Sequence, residues 1–409
     1  MARTSSIALC ALLVAGCPAT SERIADAALA PDAGLFERDA SLPPCPGGAV
    51  LRLSEARLTG DPSREPGSAI QDVLLDDDGG LWVLGFFRWY TDEGTGGIRR
   101  LARVDASGTL LETREVSRVA FAWNGTASMA KVGAEVWVAL LDGPSGDRSV
   151  ELARVGPDGA VARTSLTLIE ADVGGLAIRT NEAGEPELLV TGDDALAVYR
   201  LSAEGRLSDR RAGVTVSTES RLALGIDPTS RDCLVVRDRS PGGDGVNYLF
   251  DLRDGLPTAL PEPSPRASFL SVPARTESGC AQARFIENPT RPDRGGVSTN
   301  DGALFIEGWF GTTPMGMSLV TGLAGGPAGV VLATRDSERV ETTNLHWVDL
   351  VGSGSCRVDR PIASFSGVLG RGVPLGAVVA VRDGERVRVV MSDLTAPGEI
   401  AWGSLEPSR

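Results

Sequence analysis

Short apolar runs separated by polar turns recur along most of the chain. The runs are rich in Val, Leu, Ile and aromatic residues, the turns in Gly, Asp, Pro and Ser, and helical periodicity is nearly absent. Corresponding runs are spaced by 55, 52, 46, 50, 46 and 48 residues, with centres at Trp82, Trp137, Leu189, Val235, Phe285, Val331 and Val379. The pattern predicts an all-β protein built from a repeat of about fifty residues.

A hairpin with glycine in a fixed place follows the apolar run in several copies. The clearest are residues 101–112 (LARVDASGTLLE), 152–163 (LARVGPDGAVAR) and 199–209 (YRLSAEGRLSD). A tight hairpin needs a residue that tolerates positive φ, and an Asp or Ser before it can hydrogen-bond the turn backbone. Each repeat therefore supplies two hairpins, or four strands.

Repeated four-stranded units predict a β-propeller, because such a sheet buries both of its faces only by stacking against neighbours. We expect seven four-stranded blades. The fifth unit is the weakest, since residues 261–300 are rich in Pro, Arg and Ser, and six or eight blades also fit. Residues 48–60 (GAVLRLSEARLTG) are expected to close the ring by pairing beside residues 398–405 (GEIAWGSL).

The segment QDVLLDDDGGLWVLGFF, together with the hairpin at 101–112, resembles the delta-sixty type of repeat found in exported bacterial propellers. An Asp-Gly turn, an apolar strand ending in glycine and an Asp-Gly hairpin recur in those families. The resemblance is clear in the first two copies and fades in later ones. It implies a propeller and an exported location, but no shared reaction.

The N-terminus has the features of a bacterial lipoprotein signal. Residues 1–16 (MARTSSIALCALLVAG) place Arg3 before an apolar run of about ten residues, which is too short to span a bilayer. The end of the run, Val14 to Cys17, resembles the lipobox, in which the cysteine thiol is acylated and becomes the mature N-terminus. We therefore predict lipidation of Cys17.

The remaining chain divides into a linker and one large domain. Residues 17–47 are rich in Pro, Ala, Asp and Ser, and we interpret them as a flexible tether from Cys17. Residues 48–409 form the predicted propeller domain. A lipid at Cys17 would hold the protein in the bacterial cell envelope, in the periplasm or at the outer-membrane surface.

The charge of the chain excludes some partners. The formal net charge is -14, with Lys131 as the single lysine. An acidic chain without a basic cluster is not expected to bind nucleic acid or adhere electrostatically to anionic lipid. The predicted membrane contact is through the lipid alone, and we expect a monomer.

Four cysteines remain after Cys10 leaves with the signal and Cys17 takes the lipid; they are Cys45, Cys233, Cys280 and Cys356. An even number in an exported chain favours two disulfides. Sequence alone allows three pairings, and the repeat register favours Cys233 with Cys280 and Cys45 with Cys356. None of the four has the CxxC or CxH spacing of a metal site.

Three consecutive aspartates, Asp76, Asp77 and Asp78, could offer oxygens to Ca²⁺. They lack the alternating acidic positions and distal glutamate of an EF-type loop. Polar turns occupy the same place in other copies, at 180–186 and 298–305. A turn is therefore favoured over a metal site.

Catalytic motifs are not evident. His346 is the single histidine, which excludes multi-histidine metal sites, and no GxSxG elbow precedes a helix. We expect no catalytic residue, cofactor or metal. The alternative is a hydrolase or lyase acting on glycans or lactones, since 54 acidic residues guarantee carboxylate pairs somewhere in the fold.

Four aromatics fall within five positions, at Phe86, Phe87, Trp89 and Tyr90. Neighbouring strand residues point to opposite faces, so at least one phenylalanine can be core. The group could also form a surface for a protein or glycan partner. We accordingly predict a binding or scaffold module.

Overall fold

The computed structural model describes most of the first half of the chain and scattered strands of the second. The described residues are 50–61, 63–65, 67–91, 94–119, 126–143, 148–170, 173–192, 195–211, 221–239, 247–253, 258–259, 273–276, 279–281, 283–287, 295–299, 305–308, 320–325, 329–335, 342–349, 363–366, 378–383, 386–392 and 398–406. The predicted signal peptide and tether, with Cys17, Cys45 and Cys356, lie outside them.

The described elements are all strands. Those of the first half are β1 (Val50–Thr59), β2 (Gly67–Leu75), β3 (Leu81–Thr91), β4 (Gly94–Val104), β5 (Leu110–Val119), β6 (Thr126–Val132), β7 (Glu135–Asp142), β8 (Ser149–Val155), β9 (Val161–Leu166), β10 (Gly175–Thr180), β11 (Pro186–Thr191), β12 (Leu196–Leu201) and β13 (Leu207–Arg211). Those of the second half are β14 (Arg221–Ile226), β15 (Cys233–Arg239), β16 (Asn247–Asp251), β17 (Thr258–Ala259), β18 (Ala274–Thr276), β19 (Gly279–Ala281), β20 (Ala283–Glu287), β21 (Gly295–Thr299), β22 (Phe305–Gly308), β23 (Val320–Gly325), β24 (Gly329–Arg335), β25 (Thr342–Asp349), β26 (Ala363–Ser366), β27 (Val378–Asp383), β28 (Arg386–Ser392) and β29 (Glu399–Glu406). Within the described residues, no helix is both long and apolar enough to cross a membrane.

The strands form antiparallel sheets in the order expected of a propeller. Five sheets contain four consecutive strands: blade 1 (β2–β5), blade 2 (β6–β9), blade 3 (β10–β13), blade 4 (β14–β17) and a later sheet (β23–β26). Neighbouring sheets meet through their first strands, so that β2 contacts β6, β6 contacts β10 and β10 contacts β14. Toward the end of the chain, β18 contacts β23, β23 contacts β27, and β27 contacts β2. This topology is a β-propeller, as predicted.

The two ends of the chain share one further sheet, the closing sheet, in the order β1-β29-β28-β27. Val50 pairs with Glu406 and Thr59 with Glu399, which confirms the predicted pairing of the N-terminal segment with the last strand. The fifth unit instead appears as a two-stranded sheet, β18–β19, and a three-stranded sheet, β20–β22. Seven four-stranded blades are therefore not confirmed by the described residues.

The repeated turns have one geometry. In blade 1, Asp76 N–H donates to Gly80 O (2.9 Å) and Gly79, at φ 79°, donates to Asp76 O (3.0 Å). In blade 3, the Asn181 N–H donates to Glu185 O and the Gly184 N–H, with φ 79°, donates to Asn181 O (both 2.9 Å). Positive φ is strained for a side-chain-bearing residue and free for glycine, which explains the fixed place of glycine in each hairpin.

The closing strand is part of the hydrophobic core. Leu58 is 2% exposed and belongs to one buried cluster with Val73 and Phe87 of blade 1 and Ile400 and Trp402 of β29. The Trp402 indole Nε1–H also donates to the backbone oxygen of Gly108 in blade 1 (2.7 Å). The cluster therefore joins the first blade to the sheet formed by both chain ends.

Replacing Leu58 by Ala should lower the free energy of unfolding by about 2–4 kcal/mol, because it leaves a cavity where the closing sheet meets blade 1. Urea titration followed by tryptophan fluorescence would measure the loss. Leu111→Ala is the matched control, since Leu111 is 52% exposed and its truncation should change stability by less than about 0.5 kcal/mol. Equal effects of the two substitutions would contradict a buried closing strand.

Candidate functional site

Side chains from one blade cap the inner edge of the next. The first strand of each blade has a free edge that faces the inside of the ring, where its N–H groups need partners. The Asp72 carboxylate of β2 accepts the Met129 N–H of β6 (2.7 Å), and the Ser128 hydroxyl of β6 accepts the Ile178 N–H of β10 (3.2 Å). Asp72 pairs with Leu84 and Ser128 with Ala139 at corresponding places in β3 and β7, so this link between blades is a feature of the repeat.

Asp72 also binds an arginine from a distant blade. Arg231 Nη2 donates to Asp72 Oδ1 (2.7 Å) and to Val73 O (2.9 Å), and Arg231 Nη1 donates to Asp72 Oδ2 (2.9 Å). The Val73 N–H donates to the same carboxylate (2.8 Å), so each carboxylate oxygen accepts two hydrogen bonds when Met129 is included. Both residues are buried, Asp72 at 8% and Arg231 at 5% exposure.

The pair crosses the inside of the ring. Asp72 is in blade 1, whereas Arg231 is in the turn between β14 and β15 of blade 4, 159 residues away. Blades 2 and 3 lie between them around the ring, because β2, β6, β10 and β14 contact one another in sequence. The guanidinium therefore reaches blade 1 across the interior, where a propeller has its central channel.

The turn that carries Arg231 has an unusual backbone. Arg231 has φ 60° and is the one non-glycine residue with positive φ in the described part of the chain. For a residue with a Cβ this conformation costs about 1–2 kcal/mol, and the surroundings must hold it. Its N–H donates to Asp227 O (3.1 Å), and the Asp227 carboxylate accepts the hydroxyl of Ser230 (2.6 Å) and the N–H of Arg275 (3.1 Å).

A second buried ion pair lies beside this turn. Arg179 of β10 donates to Glu187 of β11 (2.9 Å) and to the backbone oxygen of Leu252 (3.1 Å). Asp232 follows Arg231 directly, and its carboxylate is 3.6 Å from Arg179 Nη1. Burial raises the pKa of the Asp232 carboxyl above its ordinary value, although three neighbouring arginines oppose the shift.

Asp251 has the opposite electrostatic environment. Arg275 Nη1 and Nη2 each donate to one of its oxygens (both 2.7 Å), in a bidentate pair. These hydrogen bonds lower the pKa of the Asp251 carboxyl to about 2, against the effect of burial. The β18–β19 hairpin, which contains Arg275, is thereby tied to β16 of blade 4.

The predicted disulfide partners Cys233 and Cys280 are bonded to each other in the structure. Cys233 is the first residue of β15 and directly follows the turn that contains Arg231 and Asp232. Cys280 is in β19, where it pairs with Arg275 of β18. The hairpin thus holds blade 4 by one covalent bond and one ion pair. The other predicted disulfide, between Cys45 and Cys356, lies outside the described residues.

The three aspartates of the first turn bind the protein's own cations. Lys131 of blade 2 donates to Asp76 (2.6 Å) and lies 2.7 Å from Asp77, while Arg103 of blade 1 contacts Asp76 (2.9 Å) and Asp78 (3.2 Å). Burial is the largest single influence on Asp76 and opposes its ionisation, but the hydrogen bonds from Lys131 and the Asp77 N–H and the charges of Lys131 and Arg103 together hold the pKa of the carboxyl below its usual value. The turn therefore also links blades 1 and 2.

Among the described residues, no group of three or more His, Cys, Asp or Glu side chains has the arrangement of a metal site. His346 lies in β25 and pairs with Leu332 of β24.

The aromatic stretch divides between core and surface. Phe86 and Phe87 are 3% and 0% exposed, so both side chains pack in the core and not on a surface open to a partner; β3 points them to opposite faces, each toward a neighbouring blade or sheet. Trp89 is partly exposed, and the side chain of Tyr90 lies outside the described residues. A Cβ on Gly96 would be 2.3 Å from Trp89 Nε1, so the indole lies directly on this glycine of β4.

Trp89 belongs to a projecting two-stranded ribbon. β3 and β4 have 11 residues each, whereas β11 and β12 have six. Pairing of β3 with β2 ends at Arg88, and pairing of β4 with β5 begins at Gly97. Among the described strands, residues 89–91 and 94–96 therefore pair only with each other beyond the blade. The exposed Arg118 lies 6.0 Å from the Trp89 ring.

The chain matches no protein-family model and no curated protein. It is similar in structure to catalytically inactive virginiamycin B lyase from Staphylococcus aureus, with a TM-score of 0.46, 13% identity, and coverage of 87% of this chain and 100% of that one. It is also similar to a candidate 6-phosphogluconolactonase from Bacteroides fragilis (TM-score 0.41, 13% identity, 72% of this chain and 86% of that one). The propeller domain of the Trilobed protease from Pyrococcus furiosus gives a TM-score of 0.43 and 12% identity, over 83% and 94% of the two chains. Because these TM-scores are all below 0.5, the assignment of the fold rests on the sheet topology of the chain itself.

The substitutions Asp251→Asn and Asp232→Asn should change stability in opposite directions. Because folding lowers the pKa of Asp251, its ionised carboxylate stabilises the fold above about pH 4, and this stabilisation is lost as the pH falls toward about 2. Removing the charge with Asp251→Asn should lower the free energy of unfolding by about 2 kcal/mol at pH 7. The raised pKa of Asp232 has the reverse sign, because its stabilising contribution is lost as the pH rises through the folded value. Asp232→Asn should therefore stabilise the protein at pH 7. Urea unfolding of both variants at pH 7 is the test, and a loss of stability in both would contradict these environments.

Proposed function

We propose that this protein is a lipid-anchored propeller of the bacterial cell envelope that acts as a binding or scaffold module. The observation that carries the proposal is the buried Asp72–Arg231 pair. A propeller enzyme needs polar side chains at the mouth of its channel that are free to bind substrate. Here the polar groups that cross the interior are bound to one another, with two hydrogen bonds on each oxygen of Asp72.

The proposed ring has seven blades. β19 ends at Ala281 and β20 begins at Ala283, so the two strands are separated by one position. If β19 and β20 form one interrupted strand, that strand together with β18, β21 and β22 makes a four-stranded blade like the others. It would stand between blade 4 and the sheet β23–β26.

The proposed partner-binding surface is the projecting ribbon around Trp89. It extends beyond the blade by about three residues, or roughly 10 Å. A tryptophan presents a large apolar surface with a polar N–H, which suits the apolar faces of a protein or glycan partner. Glycine at position 96 lets the ring lie flat, and Arg118 adds a positive charge nearby.

A binding experiment tests this surface. Photocrosslinking from position 95 in cells that produce the protein, followed by mass spectrometry, should recover one recurrent envelope protein or glycan. Trp89→Ala should reduce the yield about tenfold or more, as expected for an aromatic at the centre of an interface. Leu111→Ala, which removes an exposed apolar side chain elsewhere on blade 1, is the matched control. Equal yields from Trp89→Ala and the control would contradict the ribbon surface.

The lipid anchor has a separate test. The lipoprotein signal peptidase inhibitor globomycin should block maturation, and Cys17→Ser should release the protein from the membrane fraction. Cys10→Ser is the control, since Cys10 lies in the segment expected to be removed. Normal maturation in the presence of globomycin would exclude the anchor.

Asp232 favours the second candidate function, a hydrolase or lyase acting on glycans or lactones. Its carboxyl is 25% exposed beside the channel, and its raised pKa is a property of catalytic acids and bases. Turnover of such a substrate that Asp232→Asn abolishes, and that Trp89→Ala leaves unchanged, would support the enzyme over the binding module.

A further inference from the structure

The turn of residues 227–232 combines a contact across the ring with a strained backbone. Its far end, Arg231, crosses the interior of the ring to Asp72 and Val73. Its backbone is held at a positive φ that a non-glycine residue adopts only when its surroundings impose it. Such conformations concentrate at clamps and switches, so the contacts that impose this one decide whether Arg231 stays in place.

Besides the hydrogen bonds within the turn, contacts from the β18–β19 hairpin hold it at both ends. The Arg275 N–H binds the Asp227 carboxylate at the start of the turn (3.1 Å), and the Arg275 guanidinium binds Asp251. At the end of the turn, Cys233 is bonded to Cys280. The hairpin therefore holds both ends of the turn that positions Arg231.

The hairpin is too small to hold its own position. β18 and β19 have three residues each, and a hairpin of this size is not stable alone in water, so it relies on contacts with β16 and β23 and on its ties to blade 4. Among the described contacts with blade 4, its covalent tie is Cys233–Cys280 and its principal ionic tie is Arg275–Asp251. Loss of the covalent tie would leave the strand contacts of the hairpin, one ion pair and a few hydrogen bonds to oppose the strained backbone of Arg231.

We propose that the turn of residues 227–232 is a gate to the interior of the ring and that the Cys233–Cys280 disulfide keeps it closed. With the disulfide formed, Arg231 is held on Asp72 and the interior is closed. When a dithiol reduces the disulfide, the turn relaxes, Arg231 leaves Asp72, and the Asp72 carboxylate and the Met129 N–H become accessible to water and small solutes. This regulation is independent of the partner surface at Trp89.

The chemical step is a thiol–disulfide exchange. A thiolate of the reductant attacks Cys280 Sγ, because Cys280 is the more exposed of the two residues, at 7% against 0% for Cys233. The disulfide bond breaks, Cys233 leaves as a thiolate, and the second thiolate of the reductant then displaces Cys280. The protein gains two electrons and two protons, and the dithiol becomes a disulfide.

Amide hydrogen exchange in the full-length mature protein tests the gate. Dithiothreitol is the probe, and mass spectrometry confirms that both thiols are free. Reduction should speed exchange of the Met129 amide, which Asp72 covers, on the order of tenfold. The Ile178 amide is the internal control, because Ser128 covers it in the same way but Arg231 does not contact Ser128 in any described bond. It should keep its rate.

Two variants separate the gate from general loosening. Arg231→Gly removes the side chain and fits a positive φ, so Met129 should exchange quickly in both redox states. Cys233→Ser with Cys280→Ser should reproduce the reduced protein under oxidising conditions. An unchanged Met129 rate after confirmed reduction would overturn the proposal, as would a parallel rise at Met129 and Ile178, which would show that the disulfide stabilises the fold as a whole.

Discussion

A buried charge must be paired, and in this protein the pairing of Asp72 constrains the architecture of the ring. Its carboxylate holds the inner edge of blade 2 through Met129 and an arm of blade 4 through Arg231. Because removing either partner would leave an uncompensated buried charge, blades 1, 2 and 4 have to keep their relative positions. Neighbouring blades of a propeller usually restrain only one another, whereas this pair restrains blades that do not touch along the ring.

The rest of the polar network repeats the same solution between neighbours. Lys131 joins blade 2 to the turn of blade 1, and Arg99 of blade 1 makes a bidentate pair with Asp142 of blade 2 (2.6 and 2.9 Å). An acidic chain with 39 of its 40 basic residues as arginine uses the planar guanidinium for these links. Charged side chains between blades therefore link neighbouring blades around an apolar core.

Local sequence signals account for the features that could be predicted. The spacing of apolar runs, glycine at the left-handed turn positions and the pairing of the two chain ends depend on short segments, and the structure confirms them. Asp72 and Arg231 are 159 residues apart, and neither an aspartate in an apolar strand nor an arginine in a Ser-Arg-Asp turn indicates the other. The same limit applies to the aromatics: their spacing marks a strand, but the burial of Phe86 and Phe87 depends on neighbouring blades.

Because β1 closes the ring, the force that the ring resists depends on the direction of the load. Whatever precedes residue 50 is connected to the end of β1 that pairs with Glu406, so a load on the N-terminus acts directly on the β1–β29 ladder. A pull across the strands would separate the residue pairs one at a time, beginning at Val50 and reaching the buried Leu58 and then Thr59 at the end. A pull along the strands would load all of them together. The direction in which a load acts on residue 50 therefore determines how much force the β1–β29 ladder withstands before its strands separate.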